Sequence, residues 1–182
     1  MDAPIVFYWA TDDIQYREEG EGDNLTRFLS GTVVKYGDVA TVKVGGIVVR
    51  ERIEPGAFGP VSDMDLTAVI QHERSRPVGR LGYGLTLTDT ATEMRADLRL
   101  PDTTDGRDTY TNFKEGIIRG ISPEFLPVKS AVQNGVLVRQ QAKLLRIGLV
   151  DKGAYPDSKL VEARAAEIEA LTPKPQRFFR IW

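Results

Sequence analysis

Apolar and polar residues alternate with a period of two along much of the chain, which is the pattern of half-buried β-strands. The alternation is most regular in Glu93–Leu100, where every second side chain is apolar. Other segments are rich in β-branched residues and are separated by Gly or Pro, which also indicates strands. The segments predicted as strands are Ile5–Trp9, Leu29–Tyr36, Ala40–Val44, Gly46–Arg50, Asp65–Gln71, Leu85–Thr88, Glu93–Leu100, Ile121–Val128, Gly135–Val138 and Ala142–Val150. The last two are expected to form a hairpin or meander.

Two segments have helical periodicity instead. Asp105–Ile118 is predicted as the central helix, with Asp105 as its N-terminal cap. Its apolar face consists of Tyr110, Phe113, Ile117 and Ile118. A second helix is predicted at Lys159–Leu171. Together the patterns favour a mainly β fold, an antiparallel β-barrel with two or three flanking helices.

The chain has 182 residues, a length that favours one domain with a single hydrophobic core. We place this domain at residues 29–171. Residues 1–28 form an N-terminal segment, in which the acidic and Gly-rich stretch Arg17–Asp23 is predicted to be a mobile loop. Residues 172–182 form a basic and aromatic C-terminal tail.

Composition excludes several kinds of chemistry. The chain has no Cys and a single His, so disulfides, thiolate catalysis and a Cys-based or multi-His metal centre within one chain are excluded. We predict neither a metal nor another cofactor. The net charge of −2 provides no overall attraction to nucleic acid or to a membrane surface. The chain also lacks an apolar run of the about 20 residues that span a bilayer, and its N-terminus lacks the pattern of a signal peptide.

The single histidine, His72, is expected at the end of the strand Asp65–Gln71. A neutral imidazole can accept a hydroxyl proton near neutral pH, so His72 is a candidate general base. Ser122 lies between the predicted central helix and the next strand, where a sharp turn could present it as a nucleophile. Taken alone, a surface or capping histidine and an ordinary strand serine account for these residues at least as well.

The surroundings of Ser122 argue against an α/β-hydrolase. The motif Gly-x-Ser-x-Gly is absent, and the residue after Ser122 is Pro123. Proline has no backbone N–H, so it cannot donate to an oxyanion as the corresponding residue does in those hydrolases. Any oxyanion donors must therefore come from another part of the fold.

Five motifs follow one another in a characteristic order. They are Gly31 with Tyr36-Gly37, Glu51–Phe58, His72 with Gly79-Arg80, Gly120–Phe125 and Gly148–Pro156. In this order and spacing, from about Leu29 to Ala163, the chain resembles the prohead (capsid maturation) proteases of tailed bacteriophages. That serine peptidase family is related in fold to the herpesvirus capsid protease, assemblin.

The resemblance implies roles for individual residues. His72 matches the catalytic histidine and Ser122 the nucleophile. The family often has a glutamate in the strand before the last motif, but Arg146 stands there in this chain and cannot act as an acid. Asp151 is the substitute third member, with Glu124 as the alternative because it shares a strand face with Ser122. A Ser-His dyad is a third option.

By the same resemblance, the backbone N–H groups of Lys152 and Gly153 are the expected oxyanion donors. The family's fold is a small β-barrel flanked by helices. Its substrates are scaffold protein, or the scaffolding segment of the major capsid protein, and the protease itself. Cleavage takes place inside the immature capsid (the prohead) in the host cytoplasm. Assemblin-like proteases gain activity on dimerising, so a homodimer with a helix at its interface is a further implication.

Three functional hypotheses remain open at this point. The first is an active serine endopeptidase, and the second is a protease-like structural protein that binds scaffold or capsid subunits without cutting them. The altered residue at Arg146 motivates the second. The third is a ligand-binding β-barrel, which predicts a sizeable apolar pocket instead of His72 beside Ser122. The distance between those two side chains is the observation that separates the hypotheses best.

Overall fold

The computed structural model describes residues 5–6, 13–44, 47–151 and 158–172. Within these ranges, eleven strands form one mixed sheet and two α-helices pack against it. The strands are β1 (Ile5–Val6), β2 (Gln15–Glu19), β3 (Thr26–Lys35), β4 (Ala40–Val44), β5 (Ile47–Ile53), β6 (Thr67–Ile70), β7 (Pro77–Leu81), β8 (Gly84–Asp89), β9 (Glu93–Leu100), β10 (Gly120–Gln133) and β11 (Val136–Val150). The helices are α1 (Thr104–Lys114) and α2 (Ser158–Leu171). This confirms the prediction of a mainly β fold with flanking helices.

The predicted closure of the sheet into an antiparallel barrel is wrong. The strands follow the order β1-β10-β11-β6-β7-β8-β9-β3-β2, with β1 and β2 at opposite ends. β5 pairs with the first half of β11 and β6 with the second half. Because β11 is 15 residues long and serves two neighbours in succession, the sheet branches there instead of closing. The pairs β5–β11, β6–β11 and β7–β8 are parallel, so the sheet is mixed.

The strands β10 and β11 form a long antiparallel hairpin. Its turn is Asn134-Gly135, with φ values of 51° and 72°. Asn-Gly is the preferred sequence for a two-residue turn in which both residues have positive φ. The predicted hairpin or meander formed by Gly135–Val138 and Ala142–Val150 is wrong, since residues 136–138 and 142–150 belong to the continuous strand β11 and Gly135 lies in the turn before it. Gln140 and Gln141 resemble a connection in sequence, but pairing with β10 extends the strand through them.

The helix α1 confirms the predicted central helix with shifted ends. Thr103 is its cap, because its side chain accepts a hydrogen bond from the backbone N–H of Gly106 at 3.2 Å. The helix ends at Lys114, and Gly116 adopts a φ of 71° soon afterwards. The predicted apolar face is therefore wrong for Ile117, which lies beyond the helix and is 59% exposed.

The predicted loop at Arg17–Asp23 is wrong for its first residues, which belong to β2 and pair with β3. Charged side chains of this exposed strand contact the neighbouring strands. Arg17 lies over the ring of Phe28, with 4.1 Å to the ring centroid, and pairs with Asp97 at 3.1 Å. Because the contacts are made across strands, neither apolar periodicity nor composition reveals them.

One face of the central strands packs on the hydrophobic core, and the opposite face carries the candidate residues. The core residues of β6, β10 and β11 near the site are Ala68, Ile70, Ile121, Phe125, Ile147 and Leu149. Side chains alternate along a strand, so the intervening residues project from the opposite face. These residues are Thr67, Val69, Ser122, Glu124, Arg146 and Gly148. Neither helix of the described ranges has the length and apolar character needed to cross a membrane.

Candidate active site

His72 lies in a tight turn directly after β6. The backbone N–H of Glu73 donates to the carbonyl of Ile70 at 2.8 Å, and Gln71 and His72 between them have φ values of 49° and 59°. Positive φ at both central positions is the geometry of a type I′ turn, which normally selects Gly or Asn. A non-glycine residue held in this region costs about 1–3 kcal/mol, and such strain is concentrated at functional sites. The prediction that places His72 at the end of this strand is therefore confirmed.

The imidazole of His72 packs directly on the backbone of Gly148 in β11. A Cβ atom added to Gly148 would lie 2.6 Å from both Cε1 and Nε2 of the ring, closer than any real contact allows. The backbone N–H of Gln71 donates to the carbonyl of Leu149 at 3.0 Å and holds the turn against the same strand. Glycine is thus required at this position because the ring occupies the space of a side chain.

Ser122 is the direct cross-strand partner of Gly148. Opposed residues of an antiparallel pair have Cα atoms roughly 4.5–5.5 Å apart. The ring that covers Gly148 therefore lies beside the position of Ser122 on the same face of the sheet. Ser122 is fully buried, with 0% of its surface exposed.

Glu124 lies two residues after Ser122 on the same face of β10 and is 5% exposed. Its Oε2 atom is 3.4 Å from Nδ1 of His72, and its Oε1 atom accepts a hydrogen bond from Nη1 of Arg146 at 2.5 Å. Arg146 is the cross-strand partner of Glu124, so the sheet register itself brings the opposite charges together.

The charges around Glu124 determine its ionisation. Burial alone would raise the pKa of this carboxyl group, but the interaction with His72 and the positive charge of Arg146 outweigh burial and lower the pKa on balance. Glu124 is therefore a carboxylate at neutral pH. It supplies a negative charge next to the imidazole without needing solvent to stabilise it.

The distance from Nδ1 of His72 to Oε2 of Glu124 is within the range of an ion pair. It is longer than the distance of a well-formed hydrogen bond. Hydrogen bonds from ring nitrogens to oxygen usually span about 2.7–3.2 Å. Among the described residues, neither ring nitrogen of His72 has a partner with full hydrogen-bond geometry. Catalytic hydrogen bonds in substrate-free enzymes are often long in this way and tighten when substrate binds.

The other predicted site residues lie elsewhere. Asp151 follows the last residue of β11, three positions beyond Gly148, and it makes no ion pair or hydrogen bond with His72 in the described part of the chain. Lys152 and Gly153 fall outside the described residues. Of the sequence candidates, the fold brings His72 and Glu124 into contact and places Ser122 beside them through Gly148.

Two residues of this arrangement were not identified from the sequence. From the sequence alone, Arg146 indicates only the loss of an acid, and Gly148 is only one residue of a motif. The signal for both is the register of β10 against β11, which pairs Glu124 with Arg146 and Ser122 with Gly148. Once this register is known, it shows that opposite charges face each other at the first pair. It also shows that a glycine faces the serine at the second pair.

The arrangement places a hydroxyl, an imidazole and a carboxylate on one face of the sheet, which is the set of groups used in acyl transfer by a serine nucleophile. Within the described ranges, no group of three or more His, Cys, Asp or Glu side chains is positioned to hold a metal ion.

A sequence model of the family described as caudovirus prohead serine protease matches residues 12–173. This match confirms the resemblance inferred from the order of the motifs. No curated protein and no solved structure matches the chain.

Proposed function

The chain belongs to the caudovirus prohead serine protease family, and we propose that it is a serine endopeptidase with Ser122 as nucleophile and His72 as general base. Membership of the family assigns the chain a protease role in capsid maturation. The observation that carries the residue assignment is the position of the His72 ring, between the carboxylate of Glu124 and the Gly148–Ser122 pair.

In the proposed mechanism, the Ser122 hydroxyl attacks the peptide carbonyl while His72 takes up its proton. His72 then returns the proton to the leaving amine, and water hydrolyses the acyl-enzyme in a second round of the same steps. Nδ1 of His72 faces Glu124, which leaves Nε2 as the atom that exchanges the proton. Glu124 orients the ring and stabilises the imidazolium that forms.

We favour Glu124 over Asp151 as the third member. The Glu124 carboxylate lies at the imidazole and is bound by Arg146, whereas Asp151 makes no ion pair or hydrogen bond with the ring in the described part of the chain. Pro123 has no N–H to offer, so we keep the backbone N–H groups of Lys152 and Gly153 as the proposed oxyanion donors.

The proposed substrates are scaffold protein, or the scaffolding segment of the major capsid protein, and the protease itself. Cleavage would take place inside the prohead in the host cytoplasm. Self-association into a homodimer is part of the same proposal. These assignments extend the capsid role of the family to particular partners.

A fluorophosphonate probe tests the nucleophile directly, because it reacts with an activated serine and not with an ordinary one. We expect the wild-type protein to be labelled at Ser122 and Ser122→Ala to remain unlabelled. Ser75→Ala is the matched control, since Ser75 is exposed in the loop after His72 and should not affect labelling. Labelling of the Ser122→Ala protein to the wild-type level would exclude Ser122 as the nucleophile.

A non-cleaving structural protein is the second candidate, and the complete burial of Ser122 is the observation that favours it. A peptide can reach a fully buried hydroxyl only if the protein atoms around that hydroxyl move. Co-assembly of the protein with its scaffold and capsid partners, followed by mass spectrometry of new chain termini, distinguishes the two. New termini with wild type and none with Ser122→Ala support the protease; binding without new termini supports the structural role.

A further inference from the structure

A groove lies on the sheet, on the side of His72 that is away from Ser122. Its volume is about 550 Å³, and β7, the start of β8, β9 and the segment leading into α1 form its walls. The residues that matter for its chemistry are Thr67, Pro77, Arg80, Tyr83, Arg99 and Pro101. Tyr83 stands at the groove with 76% of its surface exposed, which is unusual for an aromatic side chain.

The sheet register connects this groove to the candidate active site. Ser122 pairs with Gly148, Gly148 with Val69, and Val69 with Pro77 at the wall of the groove. Neighbouring strands are about 4.8 Å apart, so Pro77 lies roughly 14 Å from Ser122 along this row. An extended peptide advances about 3.3 Å per residue, and this distance corresponds to about four residues of bound substrate.

A second row leads to the same place. Glu124 pairs with Arg146, Arg146 with Thr67, and Thr67 with Arg80. Direct partners in a sheet project from the same face. Arg80 therefore projects from the face that carries Ser122 and His72, and a chain bound at Ser122 can reach the groove without crossing to the other side of the sheet.

The groove is positively charged although the whole chain has a net charge of −2. Arg99 is exposed on β9 and makes no ion pair or hydrogen bond among the side chains of the described residues. Arg80 pairs with Asp65 at 3.0 Å, but both side chains are largely exposed, at 58% and 79%. Exposed pairs of this kind contribute little and exchange readily for another partner.

We propose that this groove is a substrate subsite that binds an acidic side chain, Asp or Glu, of the peptide to be cleaved. Arg99 is the principal cation, Arg80 the second, and the ring of Tyr83 covers the aliphatic part of the bound side chain. The proposal rests on the proposed protease function and adds a specificity to it. A peptide is favoured over nucleic acid because the cations are confined to one groove, beside Asp65, and do not form a basic stripe along the sheet.

The test uses the Ser122→Ala protein, so that binding is measured without cleavage. The probes are unlabelled decapeptides of Ala and Ser that carry one Glu, or one Gln at the same place, at each position in turn. Binding is followed by NMR through the Nε–Hε signals of the arginines. We expect the best Glu peptide to shift the Arg99 signal and to bind about fivefold more tightly than its Gln partner, as an exposed ion pair allows.

Two variants assign the effect to the groove. Arg99→Gln should remove the preference for Glu over Gln, and Arg99→Glu should make a Lys peptide the better ligand. Arg50→Glu is the matched control, because Arg50 is exposed on β5 outside the groove and undergoes the same change of charge. In the control the preference for Glu should persist.

Equal binding of Glu and Gln peptides, or no binding of either, would overturn the subsite. So would binding of a thymidine oligonucleotide that depends on Arg99 where the Glu peptides do not bind. Failure of the proposed function has a different signature: the fluorophosphonate does not label Ser122 in the wild-type protein, while the Arg99-dependent preference for Glu remains.

Discussion

Glu124 is held from two sides by basic side chains. Its Oε1 atom is bound by Arg146 at 2.5 Å, and Oε2 lies 3.4 Å from His72. Since Arg146 occupies one oxygen, the carboxylate cannot rotate freely and its other oxygen stays directed at the imidazole. Arg146 is thus the positive charge that keeps the buried Glu124 side chain ionised.

Replacing Arg146 by Met should affect both the charge and the orientation of Glu124. The pKa of Glu124 should rise, because its positive partner is lost while its burial remains. We expect the free energy of unfolding to fall by about 1–3 kcal/mol and fluorophosphonate labelling of Ser122 to slow by about 10-fold. A ¹³C NMR titration of the Glu124 carboxyl group measures its pKa in both proteins. Arg146→Lys, which keeps the charge, should restore much of the pKa shift, and an unchanged pKa in Arg146→Met would contradict this account.

The pH dependence of stability provides a second test at Glu124. A carboxyl group whose pKa is lowered by folding stabilises the folded state above its unfolded pKa, about 4.3 for Glu. That contribution is lost as the pH falls through the lower, folded pKa. Wild type should therefore be more stable than Glu124→Gln at pH 7, and the difference should shrink as the pH is lowered towards 3. Urea unfolding at several pH values measures it, and a difference independent of pH would show that the charge of Glu124 is unimportant.

At the scale of elements, the site is built by one turn and one strand pair. The strained turn after β6 carries His72 over β11, and the β10–β11 register places Ser122 and Glu124 opposite Gly148 and Arg146. A shift of this register by one residue would turn Ser122 and Glu124 towards the core. Asn134-Gly135 defines the pairing next to the hairpin turn, and three register shifts between Glu124 and Ser130 then set the pairing at Ser122 and Glu124.

Gly148→Ala should disturb catalysis more than folding. The new Cβ would lie 2.6 Å from the His72 ring, so the ring must leave its present position over Gly148, the cross-strand partner of Ser122. A displacement of about 1 Å can cost about 100-fold in rate, whereas crowding of this kind typically costs about 1–3 kcal/mol of stability. Labelling rates and chemical unfolding of the same protein compare the two effects.

The His72→Ala background provides the control for that prediction. With the ring removed, Gly148→Ala should no longer destabilise the protein, because the two substitutions act through the same contact. If Gly148→Ala costs as much stability without the ring as with it, the ring does not occupy the space above Gly148.

At the scale of the whole molecule, a buried group of charges anchors α2 to the sheet. Arg139 of β11 is fully buried and pairs with Glu51 of β5 at 2.5 Å and with Glu167 of α2 at 2.5 Å. Arg164 of α2 lies 3.1 Å from the other oxygen of Glu51. Arg139 lies near the hairpin turn and Gly148 towards the other end of β11, so one strand carries both the structural and the candidate catalytic groups.

Glu51→Gln should therefore destabilise the protein strongly. The substitution removes the negative charge that pairs with the buried guanidinium groups of Arg139 and Arg164. Breaking a buried ion pair in this way lowers the free energy of unfolding by about 3–5 kcal/mol. Glu54→Gln is the matched control, because Glu54 pairs with Arg52 near the surface and its loss should cost at most about 1 kcal/mol. Urea unfolding at neutral pH measures both, and equal effects would contradict a structural role for the buried charges.

Several features followed from local patterns alone. Strict alternation predicted β9, helical periodicity predicted α2, and a β-branched run ending at Gln71 predicted the strand that delivers His72. Long-range features did not follow. The polar residues Gln140 and Gln141 interrupt the apolar pattern of β11, and the exposed charged residues of β2 give no strand pattern at all. Both strands form because they pair with neighbouring strands, which the local pattern does not show.

The class of fold, the family, and the choice of His72 and Ser122 for the proposed chemistry can all be inferred from the amino-acid sequence. These inferences depend on local periodicity and on the order of residue types along the chain, and both can be read from the sequence without the fold. Two features are visible only in the folded protein: the sheet branches instead of closing, and Glu124 and Arg146 meet at His72. Strand register brings together residues far apart in sequence, and it is set by the combined packing and hydrogen bonding of the whole sheet.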